Sequence, residues 1–583
     1  MILQALSEYY TRLEEDPETD IAPFGFSRQK ISFEVVLEKD GSLNGIFDVS
    51  ERVEKKTVPK SLIVLGGAKP SGSGLNPCVL WDNSGYMLGY KPDDKKPDRT
   101  LESFEAFRDK HLKLEKTIDD PEFSAVCRFL ENWNPAEAES HEVLKEIKNG
   151  FGVFRIQGQK PIHHVHENET VQKWWVQQLT PGDSDDTNRG QCLVTGDFAP
   201  LARLHEPKIK GVWGAQSSGA TIVSFNFDAT TSYGKEQSYN SPVSERAAFQ
   251  YCTALNRLLM RDSRQRIQVG DASTVFWTEK PTQGESVVAQ MFDSVAVEDE
   301  ATKSKLHAIL ESIRSGKHPP ELGEKNTKFY VLGLSPNAAR ISIRFWFVST
   351  LGEMLDHLKD HFSDLEMKRS FDHDPEFPSI WQILKETARE TKDIPPLLGG
   401  SLIRAILYGS SYPALLAASV MRRIRADSEV DYLRAAILKA WLNHNSRHNI
   451  NPLKKEIAVT LDIERPEPAY HMGRLFASLE KAQEDALPGI NATIMDRYFS
   501  AASSTPASVF PRLIRLSQHH LGKLEIGSKI YHEKIIQQIF GNIDGFPTHL
   551  NLKDQGLFAI GYYHQRQDFF TKKSSPNDTQ EKE

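Results

Sequence analysis

Short alternating apolar segments, broken by glycine and proline turns, fill roughly the first 350 residues, a pattern that predicts mixed α and β structure. Leu62-Ile-Val-Leu65, Cys78-Val-Leu-Trp81 and Tyr86-Met-Leu88 read as strands, with the last two joined in a hairpin through Asp82-Asn-Ser-Gly85. A loop of small residues, Gly66-Gly-Ala-Lys-Pro-Ser-Gly-Ser-Gly74, follows the first of them. A second such loop, Gly214-Ala-Gln-Ser-Ser-Gly219, leads into the strand-like run Thr221-Ile-Val-Ser-Phe-Asn-Phe227. Ser241 as cap and Pro242 at the first helical position predict a helix whose buried stripe is Ala248, Cys252, Leu255 and Leu259.

Beyond Phe345-Trp-Phe347 the period changes, and from about Ser379 apolar residues recur at three and four, the spacing of helices. Ser428-Glu-Val-Asp431 reads as a capping box opening a helix with Val430, Leu433, Ile437 and Trp441 on its apolar face and Arg434 off it. The expected fold is α+β, with a mixed α/β domain over 1–367 followed by a helical-bundle domain over 379–583. The charged, proline-bearing stretch Met367 to Pro378 is the expected link, and Lys572 to Glu583 a short polar tail.

Composition narrows the class. A chain of 583 residues with 39% hydrophobic and 26% charged content is long enough for more than one core and is not disordered as a whole. Its longest apolar runs, such as Leu62 to Leu65 and Ala414 to Ala418, fall far short of the roughly 18 to 20 residues that a bilayer requires. Glu8, Glu14 and Glu15 come before any basic region followed by an apolar stretch, so no secretory signal is expected. Cys78, Cys127, Cys192 and Cys252 form no CxxC pair, which suits a reducing cytoplasm and a role as small buried apolar residues.

With 71 Lys and Arg against 79 Asp and Glu the formal net charge is -8, which taken alone argues against nucleic acid as a partner. The charge is uneven, however. Between Leu402 and Lys455 stand nine basic residues, Arg404, Arg422, Arg423, Arg425, Arg434, Lys439, Arg447, Lys454 and Lys455, against three acidic ones. Such a local excess is a candidate surface for backbone phosphates, with a solvated helix face as the plainer reading.

No catalytic constellation stands out. In His163-His164-Val-His166 an extended backbone puts His164 and His166 on one face and His163 on the other, and no metal or cofactor is expected there. Pro92-Asp-Asp-Lys-Lys96 lacks the separated carboxylate and lysine of a nuclease core and reads as a charged surface loop. In Gly72-Ser-Gly74-Leu-Asn-Pro77, proline stands where a dinucleotide fingerprint needs its third glycine, and neither glycine loop contains the Gly-Lys-Ser/Thr of a phosphate cradle. Gly214-Ala-Gln-Ser217 is one residue too long for a nucleophile elbow.

The same loops suit binding, because small residues let a backbone approach a polar ligand closely. Lys69, Ser71, Ser73 and Asn76 in the first, and Lys210, Gln216, Ser217 and Ser218 in the second, offer groups that pair with phosphates or base edges. Arg404, Arg422, Arg423 and Arg425 are the candidate phosphate contacts. Two tight turns with solvated polar side chains would explain either loop equally simply. The aromatic pairs Trp174-Trp175 and Phe276-Trp277 read as core before they read as wedges between bases.

A family resemblance rests on several stretches. The opening Met1-Ile-Leu-Gln-Ala-Leu-Ser-Glu-Tyr-Tyr10, the segment Val79-Leu-Trp-Asp-Asn-Ser-Gly-Tyr-Met-Leu-Gly89 and Tyr470-His-Met-Gly-Arg-Leu-Phe-Ala477 frame a more specific central block. That block runs Cys192-Leu-Val-Thr-Gly196, Leu204-His205, Ile209-Lys-Gly211, Gly214-Ala-Gln-Ser-Ser-Gly-Ala220, Ser224-Phe-Asn226, Ser232-Tyr-Gly-Lys235 and Ala254-Leu-Asn256. In this order and over nearly the whole chain the sequence resembles the large subunit of the type I-C CRISPR Cascade surveillance complex, the Csd-type proteins.

The resemblance implies a cytoplasmic subunit without catalysis of its own, joined to a guide-RNA complex and other Cascade subunits. Such a subunit recognises the protospacer-adjacent motif in double-stranded target DNA, promotes unwinding and R-loop formation with a displaced single strand, and supports recruitment of a helicase-nuclease. It also implies a separate small subunit made by internal translation, from about Val459 behind a purine-rich Lys455-Glu456 coding element, or from Met472. A metal-dependent nuclease and a purely structural scaffold are the rival expectations.

Overall fold

The computed structural model describes residues 1–53, 56–69, 74–179, 188–260, 263–269, 271–282, 300–319, 322–450 and 452–570. The chain forms two compact units, Met1–Lys210 with Ser218–Arg257, and Gly211–Ser217 with Leu258–Glu583.

In the first unit the twelve-residue strand Phe26–Leu37 is long enough to serve as the centre of a five-stranded mixed sheet. Its first half pairs antiparallel with Lys60–Leu65 and its second half with Leu43–Asp48. On its other side lies Phe151–Ile156, parallel to it, followed by the short antiparallel strand Trp81–Asn83. Helices Pro97–Leu114 and Pro121–Asn132 bury Phe104, Phe107, Phe123 and Phe129 in a core shared with Phe33, Val35 and Phe154 of the sheet. Asp120 starts the second of these helices by accepting the backbone N–H of Glu122 and Phe123, with proline at the first helical position.

The second unit holds an antiparallel meander of Arg266–Val269, Ala272–Thr278, Lys328–Asn337 and Arg340–Thr350. Phe276 and Trp277 lie in the second of these strands and are buried, with Trp277 ringed by Tyr330 and Trp346. From Leu351 onward the unit is helical, and one apolar core runs through sheet and helices alike. Met367 to Pro378 is pinned to the helices of this unit. The backbone N–H of Lys368 donates to Val459 O, and Tyr563 Oη donates to Lys368 O.

Four local expectations are corrected by the structure. The hairpin of Cys78–Trp81 with Tyr86–Leu88 does not form: Leu80 has a positive φ, the strand runs Trp81–Asn83 through residues expected in the turn, and Tyr86-Met-Leu88 is not a strand. Asn83 accepts the N–H of Gly85 and turns Ser84–Met87 into one helical turn, and all three apolar residues are buried instead of alternating. Thr221 to Phe227 forms no strand beyond the isolated bridge of Ala220 with Ile209, because its residues stay half-exposed and give it no face to bury. The helix foreseen at Ser241-Pro242 starts at Glu245, capped by Ser244, whose hydroxyl accepts from Ala247 N, because Pro242 and Val243 carbonyls are engaged by Leu193 and Ala202. Its stripe of Ala248, Cys252, Leu255 and Leu259 is buried as read.

The fourth correction concerns Ser428, which ends the helix Ala414–Asp427 in a left-handed conformation and does not open the next one. Asp431 caps the helix Tyr432–Arg447, and that helix is buried on every side, Arg434 included. The 3.6-residue period fades there because no face meets water.

Helices Pro468–Ala486 and Leu552–Phe570 touch backbone to backbone. A methyl group on Gly473 would lie 1.9 Å from the carbonyl oxygen of Phe558, and one on Gly561 would lie 2.0 Å from that of Tyr470. Neither neighbour is a flexible side chain, so Gly561→Ala should force the helices apart and destabilise the second unit by roughly 1 to 3 kcal/mol or more. Urea unfolding monitored by near-UV circular dichroism measures this, and an unchanged midpoint would show that the helices do not pack so closely.

Candidate nucleic-acid interface

The first glycine loop is organised by a buried carboxylate. Asp82 is 0% exposed, and burial pushes its carboxyl upward while the ammonium of Lys69, in contact with it, pulls the other way. The same carboxylate accepts the N–H of Cys78 at 3.0 Å and of Asn83 at 2.7 Å. Lys69 also donates to Asn76 O at 2.6 Å and sits over the ring of Tyr86, 3.4 Å from its centroid. Lys110 donates to Pro77 O, and Tyr86 Oη accepts the N–H of Asn76. The backbone of Asn76 is thereby fixed on both sides while its side chain remains exposed. Lys69 serves this geometry as a clamp, whereas Ser71 and Ser73 lie outside the described residues.

Leu80 completes the clamp from the far side. Its φ of 61° is unusual for a branched side chain, and its N–H donates to Nε2 of the buried His111, whose Nδ1 donates to Phe107 O. The imidazole is therefore neutral, and burial, reinforced by Lys110, holds its pKa down at about 4.

In the second loop, Asn256 fixes the approach by accepting the N–H of Lys210 at 2.7 Å and donating to Lys208 O at 3.0 Å. Gly219 has a φ of +93° and would place a methyl 2.8 Å from Cβ of Lys208, so only glycine fits where Ile209 and Ala220 bridge. Lys210 and Ser218, in the first unit, are exposed; Gln216 and Ser217, grouped with the second, are exposed as well.

Tyr233 has no counterpart in the sequence reading. It stands at the tip of the turn Ser232-Tyr-Gly-Lys235 and is 99% exposed. Both central residues have positive φ, 51° at Tyr233 and 71° at Gly234, with Lys235 N donating to Ser232 O at 2.9 Å. Asn240 staples the turn, accepting from Ser232 N and donating to the carbonyls of Lys235 and Gln237. The available signal was Ser-Tyr-Gly itself, an aromatic beside a glycine in a polar stretch, which is uninformative until the turn type is known.

The basic stretch is largely consumed within the second unit. Arg423 pairs with Asp427, and Arg425, half-buried, donates to Gln555. Arg434 meets Glu386, Asp427 and Asp431, and Lys439 donates to the carbonyls of Ser363 and Asp364 with its pKa lowered by burial to about 8. Arg447 pairs with Asp364 and Glu456, and Lys455 with Asp462. Arg404 and Arg422 remain exposed. A cleft of about 340 Å³ in this unit is lined by Asp374, Glu429, Asp431, Glu480 and Asp496 with Arg566, a charge balance unsuited to phosphate, and none of the candidate residues lines it.

Among the described residues no helix is long and apolar enough to cross a membrane. Cys127, Cys192 and Cys252 are buried, and the sulfur of Cys192 accepts N–H groups from Val194 and Ser244, tying its turn to the start of the Glu245–Leu258 helix.

A family model described as CRISPR-associated protein (Cas_Csd1) matches residues 6–570. The chain belongs to that family of CRISPR-associated proteins, and as the large subunit of a type I-C Cascade it works in a multi-subunit complex with other Cas proteins. No curated protein matches it.

Two measurements test the clamp. Lys69→Met strands a buried carboxylate and should cost about 3 to 5 kcal/mol in denaturant unfolding, most of it recovered when Asp82→Asn is added. A loss within about 1 kcal/mol would show that the loop holds without the pair. His111 has its folded pKa depressed below the unfolded value, so the unfolded chain binds the extra proton. Its contribution is complete above about pH 6.5 and is lost as pH falls toward about 4. Hydrogen exchange at the Leu80 amide, corrected for intrinsic rate, should accelerate on moving from about pH 7 to about pH 5; unchanged protection would contradict the assignment.

Proposed function

We propose that this chain recognises the protospacer-adjacent motif in duplex DNA for its guide-RNA complex, starts unwinding beside it and presents the R-loop to a separate helicase-nuclease. The observation that carries the reading is the clamped first loop: a buried ion pair and three further hydrogen bonds are spent on holding one exposed asparagine, Asn76, at a fixed backbone position. Asparagine and glutamine pair with base edges, so Asn76 and Gln216 are assigned to the motif, and Lys210, Ser217 and Ser218 to the flanking phosphates and edges.

Tyr233 is assigned to opening. An aromatic ring held out on a stapled turn has lost its burial and is ready to stack on, or wedge between, bases. Arg404 and Arg422 are the arginines of the basic stretch assigned to backbone phosphates. The chain itself performs no cleavage in this reading. Asp94, the nearest approach to a nuclease carboxylate in the sequence, accepts the N–H of Lys96 in the turn that precedes the Pro97–Leu114 helix. For a separate small subunit Val459 is the better start than Met472, which would discard the first turn of Pro468–Ala486 and with it Tyr470, bonded to His564.

The test is binding of the guide-loaded complex, with and without this chain, to duplexes that share a target and differ in the flanking three base pairs. Asn76→Ala should lose about 1 to 3 kcal/mol of discrimination between flanks. Tyr233→Ala should keep discrimination but slow R-loop formation on intact duplex, and match wild type on DNA pre-opened beside the motif. Flank-independent binding would favour the scaffold, and metal-dependent cleavage by the purified chain would favour the nuclease.

A further inference from the structure

The turn after strand Phe151–Ile156 carries a cluster that the nucleic-acid reading leaves unused. His164 and His166 stack with ring centroids 5.4 Å apart, brought together not by the extended backbone expected from the sequence but by the one-turn 3-10 helix Val165–Glu167 that His164 caps, while His163 turns away to Glu122. One ligand atom each from His164, His166 and Glu167 lies within 4.8 Å of the others.

The orientation of the two imidazoles singles this cluster out. His166 is almost wholly buried and directs Nε2 to Ile63 O at 3.1 Å, while its Nδ1 is buried without a hydrogen-bond partner. A buried ring nitrogen left bare needs an explanation, because nearly all such atoms are paired. His164 mirrors the arrangement: Nδ1 lies 3.1 Å from Glu167 Oε2, and Nε2 faces Glu34 Oε2 at 3.6 Å. Glu34 is itself held by two hydrogen bonds from Arg155. Each histidine thus has its outer nitrogen directed at a carbonyl or a carboxylate, the supporting partners that orient metal-bound imidazoles.

We propose that His164 Nδ1, His166 Nδ1 and a Glu167 carboxylate oxygen bind one divalent transition-metal ion, with zinc the best match and water in the fourth position. Two imidazoles and a carboxylate are a borderline ligand set that suits zinc better than calcium or magnesium, which favour oxygen alone. The ion would fasten this turn to the sheet, since Ile63 and Glu34 belong to strands Lys60–Leu65 and Phe26–Leu37.

Untagged full-length protein, stripped with chelator and dialysed against Co²⁺, should retain one equivalent with the visible absorption of a tetrahedral site, and Zn²⁺ should displace it. Glu167→Gln, at the protein surface, should abolish that absorption while leaving the circular dichroism unchanged. Glu34→Gln should weaken binding by about tenfold to a hundredfold. His163→Ala should bind as wild type does. Failure to retain Co²⁺ would overturn the site, and equal loss in His163→Ala would reduce it to chelation by a histidine-rich surface.

Discussion

A carboxylate withdrawn completely from water has to be neutralised where it lies, and at Asp82 that requirement dictates the shape of the first unit's loop. The same two oxygens accept backbone N–H groups from Cys78 and Asn83 and contact the Lys69 ammonium, so a single side chain gathers both ends of the segment. The ammonium is saturated in turn by Asn76 O and the face of Tyr86. Remove either charge and the other remains buried alone, which costs far more than the pair contributes. Such a pair is a weak source of net stability but a strict determinant of geometry.

The left-handed conformations at Leu80 and Tyr233 show how strain is offset in this unit. Neither residue favours positive φ, and each position is held by hydrogen bonds from outside the strained residue: His111 for the first, Asn240 for the second. The strain at Leu80 redirects the chain into the short strand Trp81–Asn83, with the Trp81 indole donating to Leu65 O. At Tyr233 no packing return is visible, because the ring is exposed. Strain retained without burial is what a binding surface would require, and it separates Tyr233 from the aromatic pairs that the sequence made conspicuous. Trp277 is enclosed by other rings, and Trp175 donates its indole N–H to Gly25 O.

How far the sequence could be read follows from which forces are local. The broad change from mixed to helical structure was legible because it rests on the periodicity of apolar residues, and the stripe from Ala248 to Leu259 was legible for the same reason. Capping and turns were misassigned wherever several candidate residues stood together. Ser241, Ser244, Ser428 and Asp431 all suit a cap, and only tertiary contacts decide which does the capping. Charge was the least legible. Arg434, Lys439 and Arg447 belong in sequence to one local basic excess, yet their partners Glu386, Asp364 and Glu456 come from other segments of the chain. The clamp was invisible for that reason too, since Lys69 reads as a free donor until Asp82 is placed beside it.

The self-neutralised arginines bear on how such a subunit would bind DNA. Counterion release rewards each phosphate neutralised, but an arginine already paired with a carboxylate has to be freed before it contributes. A chain of net charge -8 that spends most of its densest basic stretch internally is therefore poorly equipped for tight, sequence-indifferent attachment. That is an advantage in the proposed role. The exchange of DNA pairing for guide pairing is nearly balanced, so only a small bias at the adjacent motif is needed to start it. A few fixed contacts supply that bias, and weak background attachment leaves the complex free to sample many sites, while guide pairing supplies the discrimination along the target.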